Sequence, residues 1–227
     1  MAGYGTVKMR AVKGVIFDFD GTVADTERFS LEAWPKVSRE LGYRVTEEMT
    51  RCCVGVNEAT ERRILCAEFG DAFPYGKIRD EISILHRKSA EKDGIAVKKG
   101  FATLIARIKK AALPYALATS THRKGIGWKL ECAGLNGVFQ SIVCGDEVEN
   151  GKPAPDIFLK AARMMNRAPE DCIGIEDSEA GLRGLQSAGI HSVFIKDLIT
   201  PARDVMAGVW RECRDLGEVC AFLDGGL

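Results

Sequence analysis

The chain has 227 residues, 46% of them hydrophobic and 28% charged, the composition of an ordinary globular protein long enough to bury its own core. Its 32 Lys and Arg balance 32 Asp and Glu, and a formal net charge of zero argues against nucleic acid or an anionic membrane as general partners. No apolar run approaches the roughly 20 residues that span a bilayer, and residues 1–10 lack the apolar stretch of a secretory leader, which predicts a cytoplasmic protein.

In chain order, residues 15–20 predict a buried strand that ends in a polar turn at Gly21. From about 26 to 93, apolar residues recur at helical spacing, as in Ile64, Leu65 and Phe69 or Ile78, Ile82 and Leu85. Gly42, Gly55, Gly70 and Pro74 punctuate that block, which carries no strand pattern. After Gly94 the rhythm changes. Helices are expected over 101–111, 122–133, 155–165 and 178–188, alternating with apolar strands over 114–118, 141–144, 172–175 and 192–195. Residues 198–227 are mixed, with a last helix or packing piece over 218–223. Strands alternating with helices imply parallel pairing through βαβ crossovers. A helical block of about 70 residues is too long for a loop within a compact domain. The expected architecture is an α/β core from residues 9–26 and 95–227, interrupted by an inserted all-helical unit over 27–94. The eight cysteines form no CxxC pair and no zinc-finger spacing with His86, His122 or His191, so they read as reduced thiols, mostly buried.

Four short segments carry the chemistry, each after an apolar strand or at the entry of a helix. In Asp18-Phe-Asp-Gly-Thr22 the two carboxylates are two residues apart and share one side of an extended chain, where they repel unless a cation intervenes. Thr119, Ser120 and Thr121 place hydroxyls between a strand and a helix, where free helix N–H groups help to bind a phosphate oxygen. Lys152, flanked by Gly151 and Pro153, can neutralise a phosphate or orient a carboxylate. Five residues rather than four separate Gly145 from Gly151, and Pro153 replaces the hydroxyl residue, so this stretch is not a P-loop. The fourth segment runs an apolar strand into Glu176 and Asp177. Alone, each segment also reads as a turn, a helix cap or an exposed loop lysine. Together they fall at the carboxyl ends of parallel strands, where open sheets bind ligands. Their carboxylates, hydroxyls and one lysine suit a phosphate held on a hard divalent cation such as Mg²⁺.

Asp18-Phe-Asp-Gly-Thr22, Thr119, Lys152 and Glu176-Asp177 resemble, in order and spacing, the four motifs of the haloacid dehalogenase superfamily. Residues 18–27, 151–156 and 174–178 are most similar to its β-phosphoglucomutase-like branch. The resemblance implies a Rossmann-like parallel sheet and a helical cap between the first two motifs. It implies Asp18 as nucleophile, Asp20 as general acid and then base, and Thr119 and Lys152 on the transferring phosphoryl group, with Ser120 beside them. Mg²⁺ would be held by Asp18, the backbone carbonyl of Asp20 and Asp177, with Glu176 nearby or in its shell. Thr121, His122 and Arg123, with Asn57 and Glu58 of the cap, are the expected selectivity positions. Residues 26–28 and 94–99 are the expected hinges.

Mutases of that branch share a cap arginine and a histidine ten residues beyond the second motif aspartate. Here those places hold Glu58 and Ser30. A carboxylate repels a distal phosphate, so the expected function is Mg²⁺-dependent hydrolysis of small phosphate monoesters, such as sugar or polyol phosphates. Sugar phosphomutase is the alternative, and a non-catalytic phosphate-binding module is the alternative of another class. The expected partner is a small phosphorylated metabolite.

Overall fold

The computed structural model describes residues 12–224. The reading of residues 1–10 as lacking a leader, and the start of the expected core at residue 9, lie outside them. Six strands form one sheet: β1 (Gly14–Phe17), β2 (Tyr115–Thr119), β3 (Ser141–Cys144), β4 (Cys172–Glu176), β5 (His191–Ile195) and β6 (Arg211–Cys213). The order is β3-β2-β1-β4-β5-β6, with every pairing parallel. Phe17 is in register with Leu117 on one side and Ile175 on the other, so β1 is central and buried throughout.

The strand period of two divides the core into two layers. Val15, Phe17, Leu117, Ile173 and Ile175 face one way. They meet α5 (Phe101–Lys110), α6 (Arg123–Cys132) and α10 (Leu216–Asp224) through Phe101, Leu104, Ile108, Ile126 and Leu216. Ile16, Ala116, Ala118 and Cys172 face the other way, onto α7 (Asp156–Met164) and α8 (Glu179–Ser187) through Ile157, Phe158, Ala161 and Leu185. Helices on both faces are what a parallel sheet requires, because neither face can be left to water.

Between β1 and α5 the chain forms only helices: α1 (Glu27–Glu40), α2 (Glu47–Arg51), α3 (Glu58–Phe69) and α4 (Tyr75–Asp93). Their apolar stripes close on one another. Ala33, Trp34 and Val37 of α1 meet Leu65 of α3 and Tyr75, Ile78 and Ile82 of α4 in a cluster of their own. The two chain crossings lie side by side. Asp25 N–H donates to Ala96 O (2.9 Å), and Lys98 N–H donates to Val23 O (2.9 Å).

Two expectations shift. The first strand stops at Phe17 rather than Asp20, because the chain folds back on itself. Val23 and Ala24 N–H both donate to Phe19 O (2.9 Å each), and Gly21 N–H donates to Ala24 O (2.8 Å). The strand over 192–195 is also not the last. β6 follows, but it has three residues, two of them exposed, and only Cys213 is buried, so no alternation marks it. A short helix, α9 (Arg203–Ala207), precedes it.

Candidate active site

The chain turns outward at the carboxyl ends of β1, β2 and β4, and the four segments meet there. Asp18 follows β1, its N–H donating to Ile175 O (3.0 Å). Thr119 ends β2, Glu176 ends β4 and Asp177 follows it. Gly21 has φ +84°, and a Cβ there would stand 2.1 Å from an Asp177 carboxylate oxygen. A side chain larger than hydrogen would therefore push the first segment off the fourth. Gly181, in the first turn of α8, is similarly tight: its Cβ would lie 1.7 Å from Glu176 Oε1.

Lys152 is 1% exposed, and its ammonium lies over the Phe158 ring. It donates to Asp18 Oδ1 and to Glu176 Oε1 (2.6 Å). Burial alone would lower its pKa, but Asp18 and Glu176 more than reverse that and keep it charged. The other Glu176 oxygen accepts from Ser178 N–H and Oγ–H, both at 2.8 Å. Ser178 in turn caps α8, accepting from Gly181 N–H (3.0 Å). Glu176 is thus fixed on both oxygens.

Asp18 and Asp177 are not. Asp177 Oδ1 accepts from Thr22 Oγ1–H (2.8 Å), while Oδ2 is buried with no hydrogen bond. Asp18 Oδ2 carries no hydrogen bond among the described residues. Burial pushes the Asp18 carboxyl up, aided by Glu176 and Asp20 against the pull of Lys152. Burial, Glu176 and Asp18 do the same to Asp177. Oxygens of Asp18, Glu176 and Asp177 come within 4.8 Å of one another. Three clustered carboxylates, two of them paired with one lysine, and a buried oxygen left bare fit a further hard cation, and Mg²⁺ takes such oxygens.

Asp20 has a different surrounding. Its Oδ1 accepts from Lys129 Nζ (2.6 Å) and Thr26 Oγ1–H (2.6 Å), and its Oδ2 from Thr121 Oγ1–H (2.7 Å) and Thr119 Oγ1–H (3.4 Å). Burial would raise this carboxyl, but the charge and hydrogen bond of Lys129, with the hydrogen bonds from Thr26 and Thr121, hold it well below the usual range. Lys129 was not among the sequence candidates. One signal does point to it: Ile126 and Leu130 are the buried positions of α6, and Lys129 adjoins that stripe.

A cavity of about 490 Å³ opens over Asp18 and Asp20, roofed by α1 to α4. Ser120, Thr121, His122 and Glu58 line it. Ser120 Oγ–H donates to Gly55 O (3.2 Å), tying core to roof. Thr121 holds Asp20 rather than standing at the roof. His122 Nε2 lies 3.2 Å from Glu58 Oε2, so these two expected positions meet. Asn57 and Arg123 do not line the cavity. Asn57 caps α3, accepting from Thr60 N–H (2.9 Å), and Arg123 donates to Glu147 Oε1 (2.7 Å) and Ile142 O (2.6 Å). Their side chains are spent on local structure.

The cysteines follow expectation. Cys53, Cys144, Cys172 and Cys213 are buried free thiols, and burial pushes Cys144 and Cys172 up to about 11. Among the described residues no helix is long and apolar enough to cross a membrane.

A family model of haloacid dehalogenase-like hydrolases matches residues 15–195, which include all four segments. A phosphorylated carbohydrates phosphatase of Thermotoga maritima is 32% identical over 185 residues, covering 81% of this chain and 84% of the relative. The beta-phosphoglucomutase of Bacillus subtilis is 30% identical over 192 residues, covering 81% and 83%. Among solved structures, CbbY from Rhodobacter sphaeroides in complex with phosphate aligns with a TM-score of 0.79 and 27% identity, covering 94% of this chain and 99% of that one. The chain belongs to the haloacid dehalogenase-like hydrolases, in their β-phosphoglucomutase-like branch.

Proposed function

We propose that this protein is a Mg²⁺-dependent phosphatase of small phosphate monoesters, sugar or polyol phosphates among them, that works through an aspartyl-phosphate on Asp18. The observation that carries the reading is the Asp18 carboxylate: one oxygen is held by Lys152, and the other lies without a hydrogen bond among the described residues, in a residue that lines the cavity. The named activities of the relatives, a carbohydrate phosphatase and a phosphoglucomutase, support the same class of substrate.

Asp18 Oδ2 attacks phosphorus, and the bond from phosphorus to the leaving oxygen breaks. Asp20 gives that oxygen a proton, and the alcohol leaves. Asp20 then takes a proton from water as the water oxygen attacks phosphorus, which releases phosphate and restores Asp18. Lys152 offsets charge on the phosphoryl group and fixes the direction of Asp18. Asp18, Asp177 and the carbonyl of Asp20 would hold Mg²⁺, with Glu176 orienting Lys152 beside it. When bound, the ion offsets the charge of the carboxylates and the phosphoryl oxygens. With no net positive charge on the whole protein, capture of an anionic substrate rests on this local compensation. Lys129 holds Asp20 ionised in the resting site, the form needed for the second half-reaction. The first half-reaction requires that pairing to loosen as substrate enters and Asp20 to take up a proton, from solvent or from the monoanion of the substrate phosphate, before it gives one to the leaving oxygen. Residues 27–94 act as the cap that excludes water, and residues 26–28 and 94–99 as its hinges.

The deciding experiment is a phosphate-release screen over sugar, polyol, nucleotide and glycolate phosphates, with and without Mg²⁺, for the wild type and Asp18→Asn. Release that needs Mg²⁺ and vanishes in Asp18→Asn is expected. Release that persists in a chelator or in Asp18→Asn defeats the mechanism. Transfer of phosphate between positions of one sugar, stimulated by its bisphosphate, would make the protein a mutase instead.

A further inference from the structure

The roof of the cavity holds a polar network that the phosphoryl chemistry does not use. Glu61 of α3 is 7% exposed and lines the cavity. Its Oε2 accepts from Tyr75 Oη–H (2.6 Å) and lies 3.1 Å from Arg79 Nη1, both on α4. Its Oε1 has no hydrogen bond among the described residues. Glu27, the first residue of α1, also lines the cavity and has no hydrogen bond on either carboxylate oxygen among them. Glu27 lines the same cavity as Asp20 and Lys129 of the floor and Glu61 and Arg79 of the roof, and all four charges act on it.

We propose that Glu27 and the Glu61–Arg79–Tyr75 network form a hydroxyl-reading subsite for the leaving group, which selects a phosphate monoester whose leaving group is uncharged and polyhydroxylated and disfavours a second phosphate. The inference rests on the phosphatase reading of the same cavity. Carboxylate oxygens with open lone pairs accept O–H donors. A buried acceptor that stays unpaired with the wrong ligand costs free energy, which is how a polar pocket rejects an analogue that lacks the hydroxyl. Arg79 is already matched by Glu61, so it offers no surplus charge to an anion. The adjoining aromatic rings are neutral as well. His86 stacks on Phe29 (centroids 4.5 Å apart, 12°) and meets Trp128 edge-on (5.4 Å). Burial, helped by Lys129, pushes the His86 imidazole down to about 4, so it carries no charge at neutral pH. His86 and Trp128 line the cavity, and neutral rings beside carboxylate acceptors suit a sugar or polyol chain, with its C–H groups on the rings and its hydroxyls on the acids.

The test compares kcat/KM for a hexitol monophosphate, a hexose bisphosphate and phenyl phosphate in the wild type, Glu27→Gln and Glu61→Gln. Glu27→Gln breaks no hydrogen bond, and Glu61→Gln keeps an amide oxygen for Tyr75, so one foldable variant is available even if the other fails. The wild type should prefer the hexitol ester to both others. The ratio of hexitol phosphate to phenyl phosphate should fall by about tenfold in each folded variant, with the loss mostly in KM, and bisphosphate should gain on monophosphate. A fall of less than about threefold in both variants overturns the subsite, because a merely structural role would lower all three substrates together. Wild-type turnover of phenyl phosphate with no preference for the hexitol ester also overturns it and leaves the phosphatase reading standing. No turnover of any ester removes the phosphatase reading itself.

Discussion

The floor and the roof of the cavity are built on different rules. At the floor, strand ends and loop hydrogen bonds leave each side chain little choice. Glu176 is fixed by Lys152 and Ser178, Asp20 by Lys129, Thr26 and Thr121, and Asp177 by Thr22. The oxygens left bare, on Asp18 and Asp177, are those that the proposed mechanism assigns to a phosphoryl group and a cation. At the roof, position depends on how four helices pack, and Glu27 lacks any hydrogen-bond partner among the described residues. On the proposed function, the contrast separates chemistry below from recognition above. Phosphoryl transfer is catalysed mainly by positioning and charge, which reward a preorganised floor.

If that separation holds, changes at the floor should abolish turnover on every ester, whereas changes at the roof should redistribute it. The largest effect is expected for Asp18→Asn, with kcat falling on the order of 10³-fold or more on all substrates alike. Uneven losses among esters would show that floor and roof are not separate. Next comes Lys152→Met. Removing one partner from a buried ion pair leaves uncompensated charge and costs about 3–5 kcal/mol. Here two carboxylates, Asp18 and Glu176, lose their cation at once. Denaturant unfolding should give a lower midpoint with an unchanged slope, and added Mg²⁺ should recover part of the loss, since it would offset the same carboxylates. A midpoint unaltered by the substitution would remove Lys152 from the frame of the floor.

The same division governs what the sequence disclosed. Asp18, Thr119 and Glu176 each end or follow an apolar run that is short, buried and strand-like, so these three could be placed at strand ends without knowing the sheet order. Parallel pairing then brought those ends together. The helical unit was legible as a block, because its apolar spacing persists from Ala33 to Ile82. Its inward-facing polar residues were not legible. Whether Glu61, Arg79 or Asn57 reaches the cavity depends on the rotation of each helix about its axis, and one helical position to either side changes the answer. Asn57 shows the consequence: it sits beside Glu58 in sequence yet spends its side chain on capping α3. Lys129 was hidden for the same reason, in a helix whose tilt against the sheet sets where a long side chain ends. β6 escaped because three residues are too few to show a period.

Lys129 belongs to the floor by contact but to a helix by origin, so its substitution sharpens the boundary. In Lys129→Met the Asp20 carboxyl loses its cation and rises towards the ordinary range. The base form of Asp20 is then lost at a higher pH, so the acid limb of the rate profile should move up. At neutral pH an ordinary carboxyl is still ionised, so kcat there should change by less than about threefold and the effect should sit in the acid limb. Lys129→Arg keeps the charge and should restore most of the limb. An acid limb that stays in place in Lys129→Met would mean that Lys129 supports structure only.

The smallest effect on the floor's chemistry is expected at the roof, in Glu27→Gln, where beside the change in KM the substitution should also appear in stability. Burial, with Asp20 and Glu61 nearby, pushes the Glu27 carboxyl up from 4.5 to about 7 in the folded protein. Below about 4.5 both states hold the proton and the group contributes nothing. Between about 4.5 and 7 the folded state binds more proton than the unfolded state, so stability declines as pH rises. Above 7 the full cost of the buried anion is present. Each unit of difference is worth at most about 1.4 kcal/mol, and solvent reaching Glu27 through the cavity reduces that. His86 has the opposite slope, because its folded value of about 4 lies below 6.5, and it favours the folded state as pH rises through that window. It is present in both proteins, so their difference isolates Glu27. Unfolding free energies at pH 5 and pH 8 should show the variant gaining on the wild type at pH 8 alone. An equal gain at both values would mean that Glu27 is ionised throughout, and the roof would then meet a sugar with a fixed charge instead of a carboxyl that can also donate.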